Sequence, residues 1–492
     1  MKGFFFITIF LISFELFSQD AIVYMPAKTF VTIGSGAILH VNGNLILGSQ
    51  NDTTVSFIQE DLSRVIVTDT AIVERGMLGC NCSWNYHYVS SPIGDGNRNS
   101  FKSKVYYYLE NHGSIFMDYG WRAMAANTSL IPGNGFSVLQ LTDTTLQFKA
   151  FDGDSINQGN YSVPISCSNV PAYLRYKGYN LIGNPYPSLI DWELVTIPAN
   201  VRDEVYTLNS VNENYAVYKQ GGLTINKGWR YIPPMQGFFV KVDNLNLTTN
   251  FNFSNSIRVH DTIGFWKKRQ NLNYLKIIAT QQDLYDETII DFSDESQLIF
   301  ESKDAYKLKS NSAGLPQIYT KSEDGIELCI NSIPFPTVRQ KIDLFFESNS
   351  AGSFRIKPSY ENSDPFLEVF LEDRLEAKIM DFSQADSYQF QYNITDRKDR
   401  FVLHFSTDNH ADPIFDENIN LYFSDGKLFL SNQSSDSHIQ LKLFDLTGRV
   451  LFQSTYNQIG MISIDQQLPN AVYIAKIQSK SLQKNFKLTN IQ

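Results

Sequence analysis

The sequence is short of basic charge and of long apolar runs, and each shortage excludes a class of protein. Its 492 residues include 41 Lys and Arg against 51 Asp and Glu, which gives a formal net charge of -10. An acidic chain without a basic stripe repels phosphate backbones, so we expect no nucleic-acid partner. Beyond the N-terminus no segment approaches the roughly 18 uninterrupted apolar residues of a membrane helix, so we expect no transmembrane segment in the mature chain.

The sequence also lacks the short motifs that mark common catalytic and cofactor sites. It contains no H-E-x-x-H zinc motif, no Walker A loop and no G-x-S-x-G elbow. Gly34-Ser35-Gly36 has no third glycine, and Asp152-Gly153-Asp154 lacks the other ligand positions of an EF-hand. His404 and Cys329 lie in strand patterns and are interpreted as structural. We therefore predict no catalytic, cofactor-binding or metal-binding residue, and no cofactor.

Cysteine is scarce, with four residues in the chain: Cys80, Cys82, Cys167 and Cys329. A bridge between Cys80 and Cys82, which are separated by one residue, would be strained. A disulfide from one of these two to Cys167, a zinc site and free structural thiols remain as alternatives. The sequence does not determine the pairing.

The first twenty residues have the pattern of a secretory signal peptide. Lys2 supplies a positive charge, residues 4–14 form an apolar h-region interrupted only by Thr8 and Ser13, and Ser18 suits the position before cleavage. The run is too short to span a bilayer and ends at Glu15. We predict a signal peptide over residues 1–18, removed to leave Gln19 first, with a buried N-terminal helix as the alternative.

The rest of the sequence is typical of β-structure. Aromatic residues make up 14% of the chain, and they fit a pleated, half-buried surface. Short alternating runs broken by Gly, Asn, Asp and Ser predict an all-β, multidomain chain of β-sandwich-like modules. In residues 19–83 the Asn42-Gly43 dipeptide between apolar runs predicts a hairpin within a small β-layer. A short β-solenoid would give a similar pattern.

Residues 84–256 contain an internal repeat of three blocks. The first copy holds residues 86–92, the tripeptide Gly120-Trp121-Arg122 and the strand entered at Gly135; the second holds residues 179–185, Gly228-Trp229-Arg230 and the strand entered at Gly237. The common order predicts two related β-units. It also places Trp121 and Trp229 at equivalent positions, where they either fill small cores or stack on sugar rings as ligand-stacking residues.

The remaining residues divide into three segments. Alternating runs in residues 257–406 predict a β-sandwich. Residues 407–417 contain Asp408, Asp412, Pro413 and Asp416 and are interpreted as a linker. Residues 418–492 alternate in short runs around the turn Asp445-Leu446-Thr447-Gly448, which predicts a small Ig-like sandwich at the C-terminus.

The C-terminal segment resembles the type A sorting domain of the Bacteroidetes type IX secretion system. The matching motifs are residues 426–431, residues 443–450 and residues 468–477. The resemblance implies a sorting-domain motif made of Asp445, Leu446, Thr447, Gly448, Arg449, Tyr473 and Lys476. One departure is Ala471, where the family usually has Gly. The body of the chain, with residues 179–187 as an Asn-Leu-x-Gly-Asn-Pro-Tyr-Pro signature, is similar to surface proteins of the same bacteria.

The resemblance implies passage through the Sec translocon, then outer-membrane export by the type IX secretion machinery. The product would be secreted or held on the outer cell surface, with surface lipopolysaccharide or glycans as partners. We predict a non-catalytic exported protein with an adhesive or structural role. A carbohydrate-binding protein is one alternative. An extracellular hydrolase is a second, because paired catalytic carboxylates meet only in three dimensions.

Overall fold

The computed structural model describes eighteen segments, and all structural statements concern these residues: 6–9, 21–79, 85–111, 120–150, 155–169, 176–210, 213–260, 273–310, 312–336, 340–361, 368–382, 385–406, 419–424, 427–432, 438–458, 460–464, 468–479 and 483–490. Their regular structure is β-strand apart from short 3-10 helices, three of which lie wholly within the described residues, at Arg98–Ser100, Trp192–Leu194 and Asn255–Ile257. The predicted all-β fold class is confirmed. Across the described residues, no helix has the length and apolarity needed to cross a membrane.

The chain folds into two compact units, each built from discontinuous parts of the sequence. The first unit comprises Met1–Phe335, Phe345–Ser363 and Ser387–Lys398. The second comprises Pro336–Leu344, Asp364–Asp386 and Asp399–Gln492. The segment 257–406 therefore contributes strands to both units, and the boundaries drawn from the sequence remain predictions.

A short parallel solenoid begins the first unit. Its strands are β1 (Phe6–Ile9), β2 (Ala21–Met25), β3 (Phe30–Ile33), β4 (Ile38–Val41), β5 (Gly43–Leu47), β6 (Ser49–Gln50), β7 (Thr53–Thr54), β8 (Ser56–Gln59), β9 (Arg64–Val67) and β10 (Ala71–Met77). β2, β5 and β10 stack in parallel on one face, β1, β3 and β8 on a second, and β4 and β9 on a third. Alternate residues such as Val31, Leu45 and Val65 point inward and are buried.

The predicted hairpin at Asn42-Gly43 is wrong. β4 pairs with β9, and β5 pairs with β2 and β10, so the dipeptide forms a corner of the solenoid. Gly43 has a φ of 130°, and a Cβ there would lie 2.0 Å from the Ala21 carbonyl oxygen. Glycine is therefore required by the close approach of two successive coils and not by a two-residue turn.

Two sheets with the same strand order follow the solenoid. The strands are β11 (Tyr86–Val89), β12 (Val105–Tyr108), β13 (Trp121–Ala123), β14 (Phe136–Leu139), β15 (Thr144–Ala150), β16 (Tyr161–Cys167), β17 (Tyr179–Gly183), β18 (Leu189–Asp191), β19 (Glu204–Asn209), β20 (Asn214–Lys219), β21 (Thr224–Ile225), β22 (Tyr231–Ile232), β23 (Gly237–Lys241), β24 (Leu247–Phe253) and β25 (Arg258–Val259). The first sheet has the order β11-β14-β12-β13 and the second β17-β23-β19-β20-β21. We call these sheets the first and second copies.

The strand registers contradict the predicted equivalence of Trp121 and Trp229. Tyr106 pairs with Ser137 in the first copy, as Tyr206 pairs with Phe239 in the second. Two residues further along, Tyr108 pairs with Trp121, and Leu208 pairs with Tyr215. The counterpart of Trp121 is therefore Tyr215. Trp229 lies between β21 and β22, because the second copy inserts β21 before its Gly-Trp-Arg tripeptide.

The strands that follow belong to both units. They are β26 (Tyr274–Gln281), β27 (Leu284–Phe292), β28 (Ala305–Tyr306), β29 (Gln317–Lys321), β30 (Glu327–Ile333), β31 (Gln340–Glu347), β32 (Gly352–Glu361), β33 (Glu368–Asp373), β34 (Lys378–Asp381), β35 (Tyr388–Tyr392) and β36 (Phe401–Ser406). In the first unit, β26 pairs with β27 and β32, β27 pairs in parallel with β30, and β32 pairs with β35. In the second, β36 pairs with β33 and with residues 340–344 of β31.

Two small sheets complete the second unit. The strands are β37 (Ile419–Ser424), β38 (Lys427–Asn432), β39 (Ile439–Phe444), β40 (Val450–Tyr456), β41 (Gly460–Ile464), β42 (Ala471–Gln478) and β43 (Gln483–Asn490). Their orders are β37-β38-β41 and β40-β39-β42-β43. Alternate residues of both sheets, including Leu430, Leu441 and Ile477, are buried in one apolar cluster. This is the two-layer arrangement of a small sandwich.

Candidate functional site

An aromatic pocket of about 740 Å³ lies in the first unit and is lined by both copies. Nine aromatic residues line it: Tyr86, Tyr88, Tyr106, Tyr108, Trp121, Tyr176, Tyr179, Tyr215 and Phe239. Ser137, Leu208, Glu213 and Lys309 are among the other lining residues. A volume of this size, apolar walls and a few polar groups are the usual properties of a small-molecule site.

The two-residue period of the strands explains why so many tyrosines reach one cavity. Tyr86 and Tyr88 are two residues apart in β11, and Tyr106 and Tyr108 are two apart in β12, so each pair shares a face. The intervening His87 points to the other face, where its Nε2 lies 2.9 Å from the Leu78 carbonyl oxygen. One face of the first copy therefore lines the pocket while the other packs toward the solenoid.

The pocket is built from matching positions of the two copies. Four equivalent pairs contribute both members to its lining: Tyr86 and Tyr179, Tyr108 and Leu208, Trp121 and Tyr215, and Ser137 and Phe239. The copies are joined beside it, because the Ser90 amide donates to the Met235 carbonyl at 2.8 Å and Gln236 Nε2 donates to the Tyr88 carbonyl at 3.1 Å.

Phe239 is the centre of the aromatic cluster. Its ring centroid lies 5.0 Å from that of Tyr108 and 5.6 Å from that of Tyr88, with near-perpendicular planes. The rings of Trp121, Tyr179 and Tyr215 each lie 6.2 Å away. Edge-to-face ring pairs have a preferred geometry and stabilise a structure by more than the area that they bury. These contacts therefore hold the aromatic walls in a fixed orientation.

The tyrosine hydroxyls supply neutral hydrogen-bonding groups. Tyr88 and Tyr215 hydroxyl oxygens are 3.1 Å apart and share a hydrogen bond. Burial, followed by the neighbouring Tyr215, raises the pKa of Tyr88 well above its ordinary value, and the same two causes raise the pKa of Tyr108. Both phenols therefore stay protonated over the physiological range and can donate as well as accept.

Two charged residues, Glu213 and Lys309, are among the described residues that line the pocket, and of these two Lys309 is the one with an ion pair. Lys309 Nζ contacts Glu347 and lies 2.7 Å from Glu327, and it also sits 3.8 Å from the Tyr319 ring centroid. Glu213 has no such cation within the described residues, and its Oε1 is buried without a hydrogen-bond partner. Burial raises the pKa of Glu213, an effect that the Ser312 side chain opposes.

The two tryptophans proposed as stacking residues are separated by the fold. Trp121 is half-buried and lines the pocket between Tyr88 and Tyr108. Trp229 is 48% exposed, does not line the pocket and packs edge-to-face on Tyr231 at 5.3 Å. The adjacent Arg230 pairs with both carboxylate oxygens of Asp191 at 2.5 Å, which holds this loop in place.

The predicted sorting-domain motif divides into an exposed turn and a strand. Asp445 Oδ1 accepts hydrogen bonds from the Thr447 and Arg449 amides, at 2.9 and 3.0 Å, and Oδ2 accepts from Arg449 Nε at 3.1 Å. Gly448 has a φ of 86°, which closes this turn. Leu446 is 70% exposed, so an apolar side chain projects from an ordered surface turn.

Tyr473 and Lys476 lie in β42 and have different environments. Tyr473 is buried, and its hydroxyl donates to the Pro469 carbonyl at 2.6 Å. Lys476 is half-buried and faces Lys442 across the β39–β42 pair. The Tyr473 contact stabilises the sandwich itself, whereas the exposed turn is available to a partner.

The remaining sequence candidates lead to no reactive cluster in the described residues. Cys167 and Cys329 are buried free thiols, and burial raises the pKa of Cys329 to about 12. Cys80, Cys82 and the Asp152-Gly153-Asp154 turn lie outside the described residues. His404 Nε2 lies 2.8 Å from Glu372 Oε2, across neighbouring strands. No group of three or more His, Cys, Asp or Glu among the described residues could hold a metal ion.

Sequence reasoning missed most of the pocket. Of the lining residues, the sequence predicts a ligand-binding role for Trp121 and not for the tyrosines, Phe239 or Glu213. The available signal was the alternation of Tyr86 with Tyr88 and of Tyr106 with Tyr108, combined with the repeat. Alternation predicts a common face for each pair, but it does not tell which strands surround a cavity.

Comparisons with known proteins give a limited result. A family model described as a domain of unknown function (DUF8693) matches residues 193–405, less than half of the chain. No curated protein matches. A solved structure named "Biofilm associated protein - BSP domain" is similar at 10% identity, covering 86% of this chain and 97% of that chain, with a TM-score of 0.14. A TM-score this low carries no argument about fold or function.

Proposed function

We propose that this chain is a non-catalytic binding protein of the bacterial cell exterior whose aromatic pocket binds carbohydrate. The observation that carries the proposal is the pocket of nine aromatic residues, with Trp121 among them, in a cavity of ligand size. Flat aromatic rings stack on the apolar faces of sugars, and the protonated hydroxyls of Tyr88 and Tyr108 pair with sugar hydroxyls. Binding of surface glycans would give the chain its adhesive role.

The non-catalytic part of the proposal rests on the charges in the pocket. Glycoside hydrolysis generally uses two carboxyl groups that flank the scissile bond. Among the described lining residues Glu213 is the one carboxylate. An extracellular hydrolase would need a second acid at a suitable distance.

Isothermal titration of the full chain with glycans selected on a glycan array tests this function. We expect Trp121→Ala to lower the affinity at least about tenfold, because it removes a wall of the pocket. Trp229→Ala, which alters an exposed Trp outside the pocket, is the matched control and should bind normally. Absence of glycan binding by the unmodified chain would overturn the proposal, and release of new reducing ends would overturn its non-catalytic part.

We also propose that the chain is exported by the Sec translocon and the type IX secretion machinery, to be secreted or held on surface lipopolysaccharide. The signal-peptide pattern of residues 1–18, whose cleavage would remove β1 from the solenoid, and the motif resemblance of residues 418–492 support this route. The ordered, exposed Asp445–Arg449 turn suits recognition by a partner. Deleting residues 418–492 should leave the protein in the periplasm, and normal surface delivery of the truncated chain would refute the sorting role.

A further inference from the structure

The position of Glu213 gives information about the ligand of the pocket. Glu213 precedes β20 in the hairpin that joins β19 to β20, and its backbone has a φ of 54°. Its charge raises the pKa of the Tyr86 and Tyr88 phenols after the larger effect of burial, so the carboxylate lies near these two walls. Its Oε1 is buried and has no hydrogen-bond partner among the described residues, so this lining carboxylate is only partly satisfied by the protein.

The neighbouring residue holds this carboxylate in place from outside the pocket. Asn214 is buried, and its Nδ2 donates to the Asp286 carboxylate at 3.0 Å and to the Tyr285 carbonyl at 3.1 Å. Asp286 is fully buried and also accepts from the Ile318 amide at 2.7 Å. The base of the hairpin is therefore anchored to β27 and β29, and Glu213 is presented by a fixed support.

Among the described residues, no ion pair neutralises the acidic charge of Glu213 in the pocket. Lys309, the other charged lining residue, contacts Glu327 and Glu347 and so is compensated elsewhere. The remaining walls are mainly aromatic rings, whose faces carry partial negative charge. An organic cation satisfies both features, since it pairs with a carboxylate and is attracted to aromatic faces.

We infer that the pocket selects an amino sugar, with its ammonium group bound to Glu213 among the tyrosine rings. The inference rests on the proposed carbohydrate function and adds the charge of the preferred unit. A neutral sugar hydroxyl can also donate to the Glu213 carboxylate, but it leaves the charge of this group uncompensated. Charge-assisted hydrogen bonds are roughly twice as strong as neutral ones, so we expect the amine to be preferred by about tenfold.

Three β-1,4-linked tetrasaccharides test this inference, because they differ only in the substituent at C2. Cellotetraose carries a hydroxyl, the tetramer of N-acetylglucosamine an acetamide, and the tetramer of glucosamine an amine. Calorimetric titration of the full chain at several pH values between about 5 and about 7 separates protonation of the amine from protonation of Glu213, whose pKa burial raises. The glucosamine tetramer should have the highest affinity of the three where the amine is protonated and the carboxylate is ionised. This comparison uses the unmodified protein and does not depend on the folding of a variant.

Substitution of Glu213 adds a second test. Glu213→Gln should abolish the preference for the amine and leave the affinity for cellotetraose within about twofold, because Gln keeps the size of the side chain and removes its charge. Glu323→Gln removes the same charge at an exposed position outside the pocket and should keep the preference. It controls for long-range attraction by the acidic chain.

The outcomes separate this inference from the function on which it rests. If none of the three tetramers binds and the glycan array is also negative, the carbohydrate function fails. If cellotetraose or the acetylated tetramer binds as well as the glucosamine tetramer, the function survives and the inference is overturned. A Glu213→Gln variant that keeps the amine preference, or that weakens all three tetramers equally, overturns it as well.

Discussion

The two copies have one strand order but place different residues at the positions that face the pocket. Tyr88 of the first copy corresponds to Leu181 of the second, and Trp121 corresponds to Tyr215. The largest difference in size is between Ser137 and its counterpart Phe239. In the second copy a phenyl ring lies at the centre of the face, whereas the first copy has the small, buried side chain of Ser137 at this position.

This difference explains how a repeated unit produces a single cavity. If both positions carried Phe, the additional ring would occupy the space that Ser137 leaves. If both carried Ser, the cluster would lose the ring that contacts the other aromatic walls. The fold of the repeat sets the positions, and the size of the residue at this pair of positions differs between the copies.

Removing the larger member of that pair should have the largest effect on stability. Phe239→Ala deletes a buried ring from the centre of five aromatic contacts, so we expect the free energy of unfolding of the first unit to fall by about 3–5 kcal/mol. Ser137→Ala at the matching position should cost less than about 1 kcal/mol. Chemical denaturation followed by Trp fluorescence measures both variants. Equal losses of unfolding free energy in the two variants would mean that Phe239 and Ser137 contribute equally to the packing of their copies.

Giving the first copy the residue of the second should abolish binding with a smaller effect on stability. Ser137→Phe places a ring in the pocket, so we expect glycan affinity to fall more than about hundredfold by isothermal titration. Adding a ring at a buried position costs typically about 1–3 kcal/mol. Ser137→Ala, which adds no bulk, should bind normally. A Ser137→Phe variant with full affinity would show that the ligand binds elsewhere.

The sequence predicted the strands of the repeat better than their pairing. The blocks beginning at Tyr86 and Tyr179 lie on equivalent strands, because a long block with a fixed Pro turn constrains its register. The two Gly-Trp-Arg tripeptides do not lie at equivalent positions, because β21 is inserted before the second one and three residues are too few to reveal such an insertion. The hairpin prediction at Asn42-Gly43 was wrong for a related reason, because a glycine with a positive φ fits a hairpin turn and a solenoid corner equally well.

The pocket was less predictable than the strands because it depends on long-range packing. Tyr106 and Tyr215 are far apart in the chain, and only the pairing of each sheet and the contact between copies bring them to one cavity. Glu213 gave no signal, because an acidic residue at a hairpin tip is normally exposed. Glu213 is only partly buried, and the adjacent Asn214 holds it there through Asp286, which lies in another part of the first unit.

The smallest effect should come from the opposite face of the first copy, where His87 corresponds to Asn180. Burial, with the nearby Arg75 as the second cause, lowers the pKa of His87 to about 4 from its ordinary 6.5. The unfolded chain therefore binds a proton more readily than the native chain between these values, so stability is present above the unfolded pKa and is lost as pH falls toward 4. Substitution His87→Asn introduces the residue of the second copy and removes this proton linkage.

We expect the unmodified chain to lose about 2 kcal/mol more than His87→Asn when the pH falls from about 7 to about 5. Denaturation of both proteins at several pH values gives this difference directly. His260, whose pKa burial also lowers to about 4, is present in both proteins and its contribution cancels. Parallel pH profiles would mean that His87 is protonated in the native state as readily as in the unfolded chain. The face of the first copy that carries His87 would then be more polar than the burial of this residue indicates.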